Sequence, residues 1–198
     1  MTRYAMAIDL SRCVGCAACM VACKAENQVS EGVFRLRVGE MTWGDPPTIV
    51  TETLHAQCYH CEGAPCTAVC PTGATYKDPK TGIVKIDASK CTGCKACVVA
   101  CPYGMRHVDS VRKVADKCSF CDHRVAKGLE PACVDVCPTS ARIFGDLDDA
   151  QSPVTRALKS ARRVEVDRPD LGVRPKLFFL NGVENPNVRR GKPQGGAV

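Results

Sequence analysis

The sequence has few of the residues and segments from which proteins build a large apolar core or a membrane anchor. Aromatic residues make up only 5% of its 198 residues, so a conventional core would be thin. No run of about eighteen apolar residues is present, so we expect membrane attachment only through a partner. The first residues, MTRYAMAIDLSRC, include no apolar segment of signal-peptide length, and no cleavable export signal is expected.

Motifs for binding nucleotides, flavins or haem are also missing from the sequence, as are residues typical of a substrate pocket. We therefore expect a protein that is not itself an enzyme. The formal net charge of +6 would suit nucleic-acid binding, because basic proteins gather phosphate groups. The cysteine content, however, argues against interpreting that charge as a sign of nucleic-acid binding.

Cysteine is abundant, with 16 in the chain, a density that indicates either a disulfide scaffold or a metal framework. The cysteines form four groups of four. Groups I and III have the spacing C-x2-C-x2-C-x3-C, whereas the middle spacer is x4 in group II and x11 in group IV. The groups are Cys13, Cys16, Cys19 and Cys23 (I); Cys58, Cys61, Cys66 and Cys70 (II); Cys91, Cys94, Cys97 and Cys101 (III); and Cys118, Cys121, Cys133 and Cys137 (IV).

The spacing of groups I and III is that of bacterial ferredoxins, in which the fourth cysteine ligates the other cluster of a pair. Three thiolates at intervals of three residues can curl around one corner of a cube, and the fourth then points towards a neighbouring cube. Sixteen thiolates and four oxidised 4Fe-4S cores of charge +2 would bring the formal charge from +6 to −2. Basic residues near the cysteines, such as Lys95, Arg106 and Lys117, are then neutralising neighbours, and no nucleic-acid partner is expected.

Other interpretations of the cysteines fit less well. Zinc sites use pairs of the C-x2-C type but have no use for a third cysteine three residues further on. Disulfides need an oxidising compartment and would be strained between such close neighbours. A redox-sensor or scaffold role for bound clusters is a further alternative, although no DNA-binding or signalling segment is visible. Because no cysteine ligand is missing, the four histidines are expected at the surface or in supporting positions; they are His55, His60, His107 and His123.

The chain contains an internal duplication. The segments IDLSRCVGCAACMVAC from Ile8 and IDASKCTGCKACVVAC from Ile86 agree at eleven of sixteen positions, and groups II and IV share the endings CTAVCPTGA and CVDVCPTSA. Groups II and III, joined by TYKDPKTGIVKID, form one two-cluster ferredoxin unit. Groups I and IV are left to form a second, circularly permuted unit. This predicts that residues 4–9 pair antiparallel with 141–145, as 83–86 do with 74–77.

The crossed-ligand rule then assigns every cysteine to one of four complete 4Fe-4S sites, so no 3Fe-4S cluster is expected. The four predicted ligand sets are Cys13, Cys16, Cys19 with Cys137; Cys118, Cys121, Cys133 with Cys23; Cys58, Cys61, Cys66 with Cys101; and Cys91, Cys94, Cys97 with Cys70.

The predicted fold class is α+β: two bacterial ferredoxin-like 2×(4Fe-4S) units, one of them circularly permuted, with strand and loop insertions and a C-terminal extension. The permuted unit takes residues 1–27 and 107–147, a strand-rich insertion 28–57, the second unit 58–106, and the extension 148–198. In the insertion, VFRLRV and TIVTETL read as strands flanking GEMTWGDPP, where Trp43 is a candidate partner contact.

The extension divides into three predicted segments. Ser152 and Pro153 signal the start of a helix with one apolar face, which we expect to dock onto the ferredoxin units. KLFFL, from Lys176, reads as an extended segment that could contact another chain. The last fifteen residues are polar and rich in Gly and Pro, and a mobile tail is expected. The apolar face comprises Val154, Ala157, Leu158 and Ala161.

Many families of iron-sulfur proteins share the cysteine pattern, and several other motifs indicate which of them this chain resembles. They are the start RYAMAIDLSRCVGCAACMVACKAEN, the stretch CPYGMRH, and the ending FGDLDD, SPV and RPKLFFLNG, together with the x11 spacer of group IV. Over roughly residues 3–182 the chain resembles the iron-sulfur subunits of DMSO reductase-type molybdoenzymes, most of all those of polysulfide reductases.

That resemblance implies two partners, a molybdopterin-containing catalytic subunit and a multi-span, quinone-reactive membrane subunit. It also implies an order, in which the group I cluster faces the catalytic subunit, the group IV and II clusters follow, and the group III cluster is nearest the quinone. The implied location is peripheral on the cytoplasmic membrane, on its periplasmic face, with the cytoplasmic face as the other possibility. The alternative function is a freestanding polyferredoxin or a hydrogenase-linked electron carrier.

Overall fold

A computed structural model of the chain describes residues 2–184 and 190–194. Within these residues, short strands alternate with helices that are mostly a single turn. The strands are β1 Tyr4–Asp9, β2 Leu36–Trp43, β3 Val50–Gln57, β4 Thr75–Lys77, β5 Val84–Ile86, β6 His107–Val108, β7 Ala115–Asp116, β8 Arg142–Asp146, β9 Val164–Asp167, β10 Leu177–Leu180 and β11 Arg190–Gly191. The helices are α1 Ala18–Glu26, α2 Pro65–Ala68, α3 Ala96–Val99, α4 Asp122–Val125, α5 Ala132–Asp135 and α6 Pro153–Ser160.

The main sheet has five strands in the order β11-β9-β10-β1-β8. Strand β1 pairs antiparallel with β8, from Tyr4 opposite Asp146 to Ile8 opposite Arg142. Strands β4 and β5 form the corresponding antiparallel hairpin in the middle of the chain, with Thr75 opposite Ile86. The predicted pairing of residues 4–9 with 141–145, and its likeness to the 74–77 and 83–86 pair, are therefore confirmed.

Strand β10 corrects the prediction made for KLFFL. It runs parallel to β1, with Met6 opposite Leu177, and its four residues are at most 1% exposed. Leu177 and Phe179 face the cysteine-rich core, whereas Phe178 and Leu180 face the opposite side of the sheet. A strand in the middle of a sheet is buried on both faces and therefore reads as a continuous apolar run. The apolar character of KLFFL thus reflects its place inside this chain, not a contact with another.

Helix α6 covers the side of the sheet that faces away from the cysteines. Ser152 precedes it as the N-cap residue and Pro153 occupies its first turn, as predicted, although the serine side chain makes no capping hydrogen bond. Val154 and Leu158 are buried against Ala5, Ala7 and Phe178 of the sheet. The predicted docking of this helix onto its own chain is confirmed, and the sheet lies between the apolar cluster under α6 and the cysteine-rich core.

The insertion forms a long antiparallel hairpin of β2 and β3, from Leu36 opposite Gln57 to Trp43 opposite Val50. Both predicted strands are present, but β2 extends through GEMTW, so the connection is shorter than the sequence suggested. Trp43 is half-buried at the end of β2, not in a loop. Its role as a partner contact stays a prediction.

Part of the C-terminal tail, predicted to be mobile, is held in place by the side chain of Arg190. Residues 190 and 191 form β11 beside β9, and Arg190 is 5% exposed in its side chain. The Arg190 guanidinium bonds Glu52 of β3 at 2.9 Å and Asp167 of β9 at 3.1 Å. The mobile-tail prediction is wrong for this strand. The other residues to which that prediction applies are mainly 185–189 and 195–198, which lie outside the described residues.

None of the helices in residues 2–184 and 190–194 combines the length and apolar character needed to cross a bilayer.

We predict that Phe178→Ala destabilises the protein by about 3 kcal/mol or more, because the ring is fully buried and the substitution leaves a cavity. The matched control is Val111→Ala, since Val111 is 77% exposed, and it should cost less than about 0.5 kcal/mol. Denaturant unfolding under anaerobic conditions, followed by circular dichroism, measures both. Equal midpoints for the two variants would contradict the internal position of β10.

Candidate iron-sulfur cluster sites

All sixteen cysteines are free thiols, and their exposure follows a pattern. Nine are buried and five are half-buried; only Cys16 of group I and Cys94 of group III are exposed. The first three cysteines of groups II and IV are all buried. These are Cys58, Cys61, Cys66, Cys118, Cys121 and Cys133. Groups I and III therefore approach the surface, and groups II and IV lie in the interior.

Each group begins with a turn whose second spacer residue adopts a left-handed conformation. In groups I and III this residue is Gly15 or Gly93, with φ of 67° and 69°. In groups II and IV it is His60 or Phe120, with φ of 43° and 55°, which costs a residue with a side chain about 1 kcal/mol or more. The rings of His60 and Phe120 stack with their centroids 3.8 Å apart, so packing between the group II and group IV turns offsets that cost.

The predicted ligand sets can be compared with what the fold brings together. A small pocket is lined by Cys13, Cys16, Cys19 and by Cys137 from group IV, together with His55 and Arg142. Burial raises the pKa of Cys61 to about 12, and the neighbouring thiols that add to the shift include Cys101 of group III. Cys137 thus lies near the group I cysteines and Cys101 near Cys61 of group II, and their assignment as cluster ligands stays a prediction.

The other two predicted sets are the group IV cysteines with Cys23 and the group III cysteines with Cys70. In both cases, helices that carry or adjoin these cysteines are in contact. Burial raises the pKa of Cys23 to about 12, reinforced by the nearby thiols of Cys133 and Cys121 in group IV. Helix α1, which carries Cys23, contacts α5, which carries Cys133. Helix α2, which ends just before Cys70, likewise contacts α3 of group III. The arrangement of α2 and α3 is the counterpart of that of α1 and α5.

Backbone amides near the cysteines donate hydrogen bonds to sulfur. The amides of Thr75, Met105, Ala115 and Phe120 lie 3.3 to 3.4 Å from the sulfurs of Cys70, Cys101, Cys91 and Cys118, respectively. The hydrogen bond from Thr75 is the main cause that lowers the pKa of Cys70 to about 7. Donors of this kind favour the thiolate, which is the metal-binding form of cysteine.

Buried cations lie beside the sulfurs. Arg106 donates to the Cys66 sulfur at 3.0 Å. The Lys117 side chain is 3% exposed and donates to the carbonyl oxygens of Cys118, at 2.7 Å, and of Val84. Lys95, by contrast, is exposed. Of the three basic residues that the sequence singled out, two are interior neighbours of the cysteines and one is solvated.

Two supporting residues, Asn27 and Arg142, were not identified from the sequence, whereas His55 takes one of the supporting positions expected for the histidines. Asn27 donates to the sulfurs of Cys23 and Cys121 at 3.8 and 3.6 Å. The guanidinium of Arg142 lies 3.4 Å from Nδ1 of His55, whose Nε2 lies 3.3 Å from the Cys13 sulfur. Because arginine only donates, His55 accepts at Nδ1 and carries its proton at Nε2, directed at sulfur. Burial lowers the pKa of His55 to about 3, so the ring is neutral.

The other histidines take different places. His60 is fully buried in the core and accepts a hydrogen bond from the amide of Val84. His107 and His123 are partly exposed and lie against carboxylates of Asp116 and Glu26. No described histidine occupies a position left by a missing cysteine.

These residues fit 4Fe-4S clusters. Within the part of the chain that the structure describes, no three cysteine, histidine or acidic side chains converge closely enough to hold one metal ion. A 4Fe-4S cube is larger than a single ion and needs its four thiolates further apart. The Nε atom of Arg142, buried among the group I and IV cysteines, has no hydrogen-bond partner in the polypeptide and is available as a donor to a cluster sulfide.

Comparison with known proteins agrees with this geometry. The 4Fe-4S dicluster domain family matches residues 49–147, and a 4Fe-4S binding domain matches 10–27. The B component of polysulfide reductase from Wolinella succinogenes is 42% identical over 196 residues, covering 96% of this chain and 97% of that protein. The protein described here belongs to the iron-sulfur subunits of molybdoenzyme-type reductases.

Two further relatives also match most of this chain. The protein NrfC homolog of Haemophilus influenzae is 44% identical over 180 residues, covering 90% of this chain and 80% of that protein. The thiosulfate reductase electron transfer subunit PhsB of Salmonella typhi is 48% identical over 152 residues, covering 75% of this chain and 79% of that protein. Family membership confirms the resemblance drawn from the cysteine groups and the terminal motifs, and identifies this chain as a 4Fe-4S protein of electron transport.

We predict that Asp116→Asn destabilises the protein by about 3 kcal/mol, because it breaks a buried ion pair next to group IV. Asp116 accepts two hydrogen bonds from Arg35, at 2.6 and 2.8 Å, and both side chains are about a tenth exposed. Burial opposes ionisation of Asp116, but hydrogen bonds from His107 and Arg35 outweigh it and lower its pKa to about 2.

The matched control is Asp148→Asn, which removes an ion pair to Arg3 that is 38% exposed on both sides. Exposed pairs contribute less than about 1 kcal/mol, so this variant should unfold close to the parent protein at pH 7. If the two variants lost equal stability in denaturant unfolding, the Arg35–Asp116 pair would not have the structural importance assigned to it.

Proposed function

We propose that this chain is an electron-transfer subunit that carries four 4Fe-4S clusters and relays electrons between a quinone-reactive, multi-span membrane subunit and a molybdopterin-containing catalytic subunit. The observation that carries the proposal is the distribution of the cysteines. Two groups are interior and two reach the surface, at Cys16 and at Cys94. A protein that passes electrons through itself needs two accessible ends and a protected middle. Each cluster, when bound, accepts and releases one electron.

The proposed ligands are the crossed sets. Cys137 completes the group I site, Cys23 the group IV site, Cys101 the group II site and Cys70 the group III site. The pocket lined by Cys13, Cys16, Cys19 and Cys137 supports the first assignment, and the neighbours of Cys61 and Cys23 support two others. With sixteen cysteines in four complete sets, no 3Fe-4S cluster is included.

The proposed domain organisation follows from the same assignment. Residues 1–27 and 107–147 form a circularly permuted ferredoxin unit, and 58–106 form the other unit. The antiparallel pairing of β1 with β8 supports the permutation, because it reproduces across the two chain segments the β4 and β5 hairpin of the continuous unit. Residues 28–57 are an insertion, and 148–198 an extension that builds the sheet.

The proposed order places the group I cluster at the catalytic subunit and the group III cluster nearest the quinone, with the group IV and II clusters between them. Exposed apolar side chains near the two outer groups support partner surfaces there. Val14 and Val21 of group I are 64% and 68% exposed, and Val99 of group III is 86% exposed. We place the protein peripherally on the cytoplasmic membrane, on the periplasmic face, carried there by its partner.

The residues of this chain contribute to the relay without transforming a substrate. Amide donors, Asn27 and His55 direct hydrogen bonds at ligand sulfurs, and these bonds adjust the electronic environment of a cluster. Burial of groups II and IV excludes water from the middle of the path. The terminal substrate is left to the catalytic subunit.

Co-purification tests the relay. Under anaerobic conditions, four clusters of four irons predict about sixteen irons per chain, and we expect a large molybdenum-containing chain and a multi-span membrane protein in the same complex. Recovery of the chain alone, with all its iron and able to reduce soluble enzymes, would favour a freestanding carrier instead. A much lower iron content, or zinc in its place, would overturn the proposal itself.

Cys101→Ser tests the crossed ligands. Its electron paramagnetic resonance spectrum should lose or alter the same signal that Cys61→Ser alters, because both residues are assigned to the group II site. The matched control is Cys97→Ser, a neighbour of Cys101 in group III, which should affect a different signal. If Cys101→Ser reproduced the Cys97→Ser spectrum, the fourth cysteine would serve its own group.

A further inference from the structure

Two buried arginines lie beside equivalent cysteines in the two ferredoxin units, although the duplication does not relate the arginines to each other. The third cysteines of groups II and IV, Cys66 and Cys133, are counterparts in the repeat. Arg106 follows the last cysteine of group III by five residues, and Arg142 follows the last cysteine of group IV by five. A buried guanidinium therefore lies among the cysteines of each unit, although the two arginines come from different places in the chain.

The repeat positions that correspond to these arginines hold uncharged residues. The counterpart of Arg106, five residues after Cys23, is Gln28, and the counterpart of Arg142, five residues after Cys70, is Thr75. Copying of an ancestral unit thus does not explain why each unit has a guanidinium. A shared physical requirement at the cysteines does.

Arg106 lies between the group II and group III cysteines and is 5% exposed. One terminal nitrogen donates to the Cys66 sulfur at 3.0 Å, and the other donates to the Thr75 hydroxyl at 3.2 Å. Burial lowers its pKa, but the thiolates of Cys66, Cys58 and Cys97 outweigh that effect and raise it. The positive charge therefore faces sulfurs of both sites in this unit.

Arg142 occupies the corresponding place between the group I and group IV cysteines and is 3% exposed. It lines the pocket of the group I cysteines and is held by Gln57, by the Met6 sulfur at 3.1 Å and by His55. Burial lowers its pKa, and the thiolates of Cys133 and Cys19 outweigh that effect and raise it.

Neither arginine belongs to the ion pairs found among residues 2–184 and 190–194. A buried charge has to be compensated, and an arginine stays charged at every physiological pH. The neighbouring thiolates are the negative groups at hand. The two guanidinium groups are therefore placed to act on whatever those thiolates hold.

We propose that Arg106 and Arg142 raise the reduction potentials of the two clusters in their own ferredoxin unit by holding a fixed positive charge between them. Reduction adds a negative charge to a cluster, and a nearby cation in a low-dielectric interior stabilises the reduced form. The inference rests on the proposed function, because it assumes four bound clusters. It adds that each unit is tuned separately by its own arginine.

The test is a redox titration of the full chain with its clusters, monitored by electron paramagnetic resonance. In Arg106→Gln, two of the four one-electron steps should move to lower potential and two should stay in place; in Arg142→Gln, the other two should move. Arg106→Lys and Arg142→Lys keep the charge and should restore most of each shift. The matched control is Lys95→Gln, since Lys95 adjoins Cys94 but is exposed, so water and salt screen its charge.

Two further variants neutralise the arginines in place, in case their removal prevents cluster binding. Gln57→Glu sets a carboxylate against Arg142, and Thr75→Asp sets one against Arg106. Each should lower the same two potentials as the matching Arg→Gln variant. Sixteen irons with four unmoved steps in these variants, or shifts as large in Lys95→Gln, would overturn the inference. Failure of the proposed function would show separately, as fewer than sixteen irons or four steps in the parent protein.

Discussion

The structure depends on compensating the charge of buried thiolates. Nine cysteines are buried, and six of these belong to the two interior groups, where an uncompensated thiolate would be costly. Three kinds of group compensate this charge. They are main-chain amides in tight turns, the neutral side chains of Asn27 and His55, and the cations Arg106, Lys117 and Arg142. A chain that carries a formal charge of +6 therefore keeps part of its positive charge in the interior, where few soluble proteins place it.

The apolar core and the cysteine-rich core share one sheet. In strands β1 and β10, the side chains of Met6, Leu177 and Phe179 face the cysteines. Those of Ala7 and Phe178 pack against α6 on the other side of the sheet. The N-terminal strand, which leads directly into group I, is thereby held by residues from the far end of the chain. This division explains how a protein with few aromatic residues stays folded, since its apolar residues are concentrated on one sheet and the metal-binding loops are fastened to that sheet.

The stacked rings of His60 and Phe120 join the two halves at the turn of each interior group. Lys117 lies at the same boundary, bonded to carbonyl oxygens of both halves, at Val84 and Cys118. The interior groups are thus neighbours across a buried junction, whereas the outer groups reach the surface at Cys16 and Cys94. The relay between two partners that we propose depends on this arrangement.

The four groups of cysteines, the duplication and the pairing of residues 4–9 with 141–145 could all be predicted from the sequence. They follow from spacings and repeats, which can be recognised without knowing which distant residues are in contact. The residues that surround the cysteines, by contrast, depend on the tertiary fold. His55 lies against Cys13 from more than forty residues away and is itself in contact with Arg142, and KLFFL enters the sheet beside a strand about 170 residues away. An apolar run or a lone basic residue has the same local sequence pattern whether its own chain or another chain covers it. Its burial and its contacting residues can therefore be known only from the fold.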